Sequence, residues 1–221
     1  MTAPPPRRAA APGLRHERRY RSAGHRVAGV DEVGRGAWAG PVTVGAVILP
    51  DDRGIAGLRD SKALAPATRE RLAERIHTHA IAVGIGEASN REIDAVGLAA
   101  ALRLAGLRAV AALTPPADVL LIDGDRDFLA GVGTHNEAIV RGDAVSASIA
   151  AASIVAKVHR DARMRRLAEA YPAYDLASNK GYGAPRHATA LEDHGPCALH
   201  RHTWSPVTSR RQLRLTVPHD E

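Results

Sequence analysis

The chain has 221 residues, 45% of them hydrophobic but only 3% aromatic, enough for one core packed mainly by Ala, Val, Leu and Ile. No apolar run approaches the roughly 20 residues that span a bilayer, no hydrophobic leader opens the sequence, and the single Cys197 excludes an internal disulfide, so a cytoplasmic, membrane-free protein is expected. The formal net charge of +6 sits entirely in residues 1–26, where seven arginines face only Glu17, so any basic surface on the body is a local patch.

Residues 1–24 are rich in Ala, Pro and Arg without apolar periodicity and read as a disordered tail, serving either as an electrostatic arm for nucleic acid or as a solvated extension. Residues 25–210 read as one α/β domain and 211–221 as a flexible C-terminus. Within the domain, 27–30 and 42–49 are short, Val-rich strands, made neighbours by the glycine-rich loop between them. A helix is predicted over 66–80, a strand over 81–87, a long Ala/Leu helix over 91–113 and a strong strand over 119–122. A short strand at 138–140 and the longest helix, 146–170, follow, with Pro172 ending that helix. A short helix over 185–194 and an irregular basic remainder complete the chain. Strands followed by long helices in one core indicate an α/β class.

Chemistry gathers at strand ends. The first strand delivers Asp31-Glu32, followed by Gly34-Arg35-Gly36. Adjacent carboxylates repel unless a cation sits between them, and flanking glycines let a backbone approach a substrate closely. Hard divalent ions take one or two carboxylates and fill their shell with water and phosphate, so this pattern reads as a metal site under a phosphate-bearing substrate. Asp123 and Asp143 each follow a strand as well, and sites in open α/β sheets form at strand ends. Asp125 and Asp127 read as solvated loop acids, and Asp161, beside Arg160 and Arg163, as a salt-bridge residue.

Taken together, Asp31-Glu32-Val33-Gly34-Arg35-Gly36 with Ala39-Gly40-Pro41, Asp60-Ser61-Lys62, Leu121-Ile122-Asp123-Gly124 and Gly142-Asp143 form an ordered set of motifs. Ala150 to Val158, Lys180-Gly181-Tyr182-Gly183 and His200-Arg201 extend it. In this order they resemble the type 2 ribonuclease H (ribonuclease HII) family over about residues 26–210. The resemblance implies a ribonuclease H-like mixed β-sheet flanked by helices, with a small helical C-terminal region. It implies that Asp31, Glu32, Asp123 and Asp143 are the catalytic ligands of two divalent ions, Mg²⁺ or Mn²⁺. It implies a monomer that hydrolyses the RNA strand of RNA–DNA hybrids and cuts 5′ of a lone ribonucleotide in duplex DNA, leaving 3′-hydroxyl and 5′-phosphate ends.

The same resemblance implies that Gly34, Arg35 and Gly36 read the ribose 2′-hydroxyl through backbone groups and that Tyr182 stacks on the next, deoxy sugar. Ser61 and Lys62 are implied to hold a backbone phosphate; Lys157 either does likewise or flanks the core. Ala37-Trp38, Ala184 and Trp204 depart from the family's usual residues and bear only on junction preference and packing. The short Arg-rich tail and Arg35 favour type 2 over type 3, whose members carry a sizeable N-terminal domain. The alternatives are a non-catalytic RNA–DNA hybrid-binding protein, disfavoured by the four acids, and a cyclising nuclease with paired catalytic histidines and no metal.

Other patterns carry less. His77-x-His79 and His200-x-His202 lack third and fourth metal ligands and read as surface histidines. Gly84-x-Gly86 fails the dinucleotide fingerprint, since Ser89 stands in for its third glycine and no helix clearly begins there. Gln212-Leu213-Arg214-Leu215 resembles a sliding-clamp peptide without its terminal aromatic.

Overall fold

The computed structural model describes residues 11–50, 54–59, 61–133 and 135–209. Five strands form one mixed sheet in the order β3-β2-β1-β4-β5: β1 is Val27–Val33, β2 Val42–Ile48, β3 Ala82–Ala88, β4 Val119–Asp123 and β5 His135–Ile139. β1–β2 and β2–β3 are antiparallel neighbours. β4 joins β1, and β5 joins β4, in parallel.

Because successive strand residues point to opposite faces, the sheet divides its apolar residues cleanly. Ala28, Val30, Leu120 and Ile122 face helix α3 (Asn90–Ala111), against Leu102, Ala105 and Ala109. Val27, Val119 and Leu121 face Ile149 of helix α5 (Ala147–Ala168). Helix α2 (Pro66–His79) seats Leu72, Ala73 and Ile76 beside α5. Two short helices, α6 (Leu176–Asn179) and α7 (Pro185–His194), close one end around Met164, Tyr174 and Leu191, the small helical C-terminal region expected.

The shortage of aromatics is compensated by close approach. A Cβ on Gly29 would overlap the backbone of Ser148 and Ile149, and one on Gly84 or Gly86 would overlap carbonyls of Ala109 or Ala105, so both major helices lie almost against the sheet. The glycines of 84–86 thus serve helix packing. Gly29→Ala is expected to cost about 3 kcal/mol or more by forced overpacking, seen as a fall of about 6–12 °C in melting temperature. An unchanged transition would mean that α5 is free to move away.

Several expectations need correction. Part of the expected disordered tail is folded: helix α1 (Arg15–Arg21) packs on the body, Leu14 is buried and Glu17 is wholly so. Gly13 pairs with the chain at Val145 and Ala147 (3.1 and 2.9 Å). Glu17 Oε1 accepts hydrogen bonds from Ser146 Oγ (2.7 Å) and Ser148 N (2.8 Å), placing a carboxylate at the positive end of the α5 dipole. Tyr20 Oη donates to Glu137 and Arg21 to the Leu49 carbonyl, fastening the helix to both sides of the sheet. An Ala/Pro/Arg composition hides these few anchoring residues.

Helix α3 is also not continuous, for Gly97 (φ +78°) breaks it. It begins at Asn90, one residue before the predicted start, where Ser89 and Glu92 form a reciprocal capping box (3.2 and 2.8 Å). Residues 1–10, Asp60, and the clamp-like segment 212–215 lie outside the described residues. Among the described residues no helix is long and apolar enough to cross a membrane.

Candidate active site

The register of the central parallel pair builds the site. Val30 sits opposite Ile122, so Asp31 and Asp123, one residue further along each strand, emerge side by side on the α5 face. Glu32 emerges on the α3 face of the same sheet end. Glu32 and Asp123 line a cavity of about 320 Å³ whose apolar wall is Leu98, Leu102 and Phe128 and whose cations are Arg35 and Arg126.

Asp31 is 6% exposed. Its Oδ1 accepts the Glu32 backbone N–H at 2.7 Å, and the Ser153 side chain bonds it from α5. Burial nevertheless pushes its carboxyl well above the ordinary range; the Ser153 bond opposes that, and the fields of Glu32 and Asp123 add to it. Burial likewise raises Glu32, Asp123 raises it further, and Arg35, 3.7 Å from Glu32 Oε1, lowers it. These three acids therefore share one electrostatic field.

Asp143 comes from the short helix α4 (Gly142–Val145), whose preceding residue Arg141 has φ +55°. Its backbone N–H lies 3.4 Å from Asp123 Oδ1, a weak contact. A Cβ on Gly142 would come 3.2 Å from that same oxygen and closer to Ile149, so glycine lets this turn approach.

The fit to a divalent ion can be judged from these groups. Among the described residues no three or more His, Cys, Asp or Glu side chains are arranged to hold an ion by themselves. The donors are all carboxylate oxygens, and Mg²⁺ or Mn²⁺ commonly takes one or two of these and completes its shell with water and phosphate. The raised carboxyls of Asp31 and Glu32 are what a cation would relieve. The residues fit a site whose coordination the substrate completes.

The remaining predicted residues fall in two groups. Gly34 (φ +88°) donates its N–H to Tyr182 Oη at 3.1 Å, joining the glycine loop to the tyrosine. Arg35, Gly36 and Lys62 are exposed. Ser61, expected to hold a phosphate, is 3% exposed and its hydroxyl meets Ser153 Oγ at 2.9 Å. It lies beneath the site, in a Ser61–Ser153–Asp31 chain. Lys157 is committed to Asp161 at 2.8 Å, which also pairs with Arg69 at 3.4 Å. Asp161 thus has the salt-bridge role expected, with different partners.

Two further readings change. Asp127 accepts from Leu129 N (2.8 Å) and Asn136 Nδ2 (3.0 Å), an ordering role rather than simple solvation. His77, His79 and His202 are exposed as expected, but His200 is wholly buried. The Cys197 N–H donates to His200 Nδ1 at 2.9 Å, which places the proton of neutral His200 on Nε2. That nitrogen meets His187 Nε2 at 2.9 Å, leaving His187 Nδ1–H for the Tyr182 carbonyl at 2.8 Å. Burial, then His187, lowers His200 to about 4, consistent with a neutral pair.

Sequence reasoning overlooked Ser153, Arg160, His187 and the buried role of Arg201. Ser153 and Arg160 stand within or beside the Ala-rich helix motif, but nothing in spacing separates an inward-facing polar residue from a solvated one.

A mixed sheet presenting acids at the ends of adjacent parallel strands, with a glycine loop over them, has the form of a metal-dependent phosphodiester hydrolase. The ribonuclease HII family model matches residues 28–207. Ribonuclease HII of Koribacter versatilis is 51% identical over 181 residues, covering 82% of this chain and 70% of that protein. Ribonuclease HII of Rhodospirillum rubrum is 49% identical over 192 residues, covering 85% and 87%. The ribonuclease H2 structure from Pyrococcus horikoshii superposes with a TM-score of 0.75 at 26% identity, covering 87% of this chain and all of that one. The ribonuclease HII of Archaeoglobus fulgidus, solved in complex with PCNA, gives 0.70 at 26% identity, covering 84% and 97%.

The chain belongs to the ribonuclease HII family. It is accordingly a metal-dependent endoribonuclease of the ribonuclease H type, a hydrolase acting on RNA–DNA hybrids.

Proposed function

We propose that this enzyme hydrolyses the RNA strand of RNA–DNA hybrids and also incises duplex DNA on the 5′ side of a single embedded ribonucleotide, leaving 3′-hydroxyl and 5′-phosphate ends. The observation that carries the reading is the Asp31/Asp123 register pair with Glu32 beside it, the raised carboxyls of Asp31 and Glu32 disfavouring charge until a cation arrives. Asp31, Glu32, Asp123 and Asp143 would hold two divalent ions, Mg²⁺ or Mn²⁺. When bound, such ions acidify an attacking water and stabilise a departing 3′ oxygen.

The chain's own groups do the rest. Ser153 and the Glu32 amide fix the Asp31 carboxylate beside Glu32 and Asp123. Gly34–Gly36 offers backbone to the ribose, whose 2′-hydroxyl distinguishes RNA from DNA. Tyr182, held at its hydroxyl by Gly34 and at its carbonyl by His187, presents its ring to the neighbouring sugar. Lys62 supplies a point charge for phosphate. Lys157 contributes through Asp161 and through its place 5.7 Å over the Tyr182 ring. A sliding clamp as partner, acting through residues 212–215, and the monomeric state also belong to this reading.

An end-labelled duplex with one ribonucleotide, incubated with Mg²⁺, Mn²⁺ or EDTA, tests it. Cutting should fall immediately 5′ of the ribonucleotide, expose a 3′-hydroxyl and stop in EDTA. Cleavage elsewhere, cyclic phosphate ends or metal-independent turnover would overturn it, and binding without cutting would favour the non-catalytic alternative.

A further inference from the structure

Arg201 is wholly buried, yet among the described residues it forms no ion pair, the carboxylate of Asp94 acting on it only through its field. Its guanidinium lies 5.4 Å over the Trp204 ring and directs its donors at one loop. Nη2 donates to the Gly34 carbonyl at 2.6 Å and Nη1 to the Arg35 carbonyl at 2.8 Å. Nε and Nη2 both reach the Gly40 carbonyl at 3.2 Å. A buried cation without a contacting counter-ion is costly unless dipoles offset it. Here the negative ends of three peptide dipoles do so.

The peptide plane turns this into a statement about recognition. In a trans peptide the C=O and the following N–H point in opposite directions. The Gly34 carbonyl belongs to the same plane as the Arg35 N–H, and the Arg35 carbonyl to the same plane as the Gly36 N–H. With both carbonyls drawn inward by one guanidinium, both N–H groups are turned outward. Among the described residues neither N–H meets an acceptor, and both residues are exposed. By contrast, the Gly34 N–H is already taken by Tyr182. A cation at the carbonyl end also polarises each peptide and strengthens its N–H as a donor.

We propose that Arg201 is the positioning residue that sets the Arg35 and Gly36 amides as a paired donor for the 2′-oxygen of the substrate ribose, and so helps set the preference for a ribonucleotide over a deoxynucleotide. The inference rests on the reading that the Gly34–Gly36 loop meets that sugar. Arg160 supports it from below, donating to the Pro41, Ala39 and Lys180 carbonyls at 2.9, 3.2 and 2.9 Å, so both rims of the loop are anchored by guanidinium groups. Lysine cannot substitute for Arg201, because one ammonium does not present a planar fork to several carbonyls.

The test measures binding without chemistry. In EDTA, affinities are taken for a duplex carrying one ribonucleotide and for the same duplex in all-DNA form. Arg201→Lys, folded by circular dichroism, should lower the ratio of the two affinities by about tenfold, the loss of one or two hydrogen bonds. Arg201→Ala should lower it similarly and regain part of it with millimolar guanidinium but not with ammonium. A folded Arg201→Lys protein with the wild-type ratio would overturn the proposal, since loss of mere structural support weakens both affinities alike.

Should neither variant fold, amide resonances of the wild-type enzyme decide. Those of Arg35 and Gly36 should shift with the ribonucleotide duplex and not with its all-DNA counterpart; equal shifts would overturn the proposal. Failure of the underlying loop reading has a separate signature, a wild-type affinity ratio of one.

Discussion

Replacing Asp31 with asparagine is expected to abolish cleavage while leaving hybrid binding intact or stronger and the metal-free protein more stable. Asparagine can still accept the Glu32 amide, so the fold is kept. What it loses is the charge that would hold a divalent ion, and with it several kcal/mol of transition-state stabilisation, a loss of about a thousandfold or more in turnover. Binding improves because one negative charge no longer faces the phosphate.

The stability gain has a definite pH dependence. Burial raises the Asp31 carboxyl well above its usual range, helped by Glu32 and Asp123. A raised folded pKa contributes stability that is fully present below the unfolded value, about 3.9, and is lost as pH rises through the folded one. Asparagine does not titrate, so in EDTA the two proteins should melt alike near pH 3.5. The variant should pull ahead by about 1–3 kcal/mol at pH 8, or about 2–12 °C. Adding Mn²⁺ should close the gap by stabilising only the wild type. Retained turnover, or a stability difference that is flat with pH, would remove Asp31 from its assigned role.

The second large effect concerns the N-terminal segment. Deleting residues 1–10 removes Arg7 and Arg8 and should lower the salt slope of binding by about 1.8, roughly 0.9 for each phosphate no longer neutralised, with melting and cleavage position unchanged. Deleting residues 1–24 removes far more. It strips Leu14 from the core, the Glu17 carboxylate from the start of α5 and the two Gly13 backbone bonds that hold Val145 and Ala147, close to Asp143.

Burying a leucine is worth about 1.5–3 kcal/mol and a helix cap about 1 kcal/mol, so the longer deletion should cost about 3 kcal/mol or more. Against a typical total of about 5–15 kcal/mol, that leaves the enzyme folded at 25 °C but melting about 6–12 °C lower, so turnover should fail at a lower temperature than in the shorter truncation. Denaturant melts and initial rates of the two truncations, measured in parallel, would settle the matter. Equal stability and activity in both would show the strap to be dispensable.

What was legible from sequence follows what local pattern can encode. Strands β1 and β4 are apolar runs leading into acids, so Asp31, Glu32 and Asp123 could be placed at strand ends without coordinates. Helix α7 was legible because Pro185 opens it and a short amphipathic run follows. The break at Gly97 was not, because a glycine in an Ala/Leu run is often tolerated and only its backbone angle reveals a kink. Helix α1 was hidden because its hold on the body is tertiary: one leucine, one buried glutamate and a bridge to residues more than a hundred positions away.

Arg201 and His200 were misjudged for a related reason. Side chains of these types are usually solvated, and burial is tolerated here only because backbone carbonyls and a second histidine, none adjacent in sequence, satisfy them.

Helix α5 reaches nearly every part of the catalytic apparatus. Ile149 abuts Gly142 beside Asp123, Ser153 bonds Asp31, Lys157 and Arg160 flank Tyr182, and Met164 lies against Gly40 and Gly181. The enzyme therefore behaves as though mounted on a single rod, and displacement of that rod shifts all the mounted parts in concert. A saturation screen scored on nuclease output would then mark one whole stripe of α5 as intolerant, although most of its residues lie away from the phosphodiester that is cut.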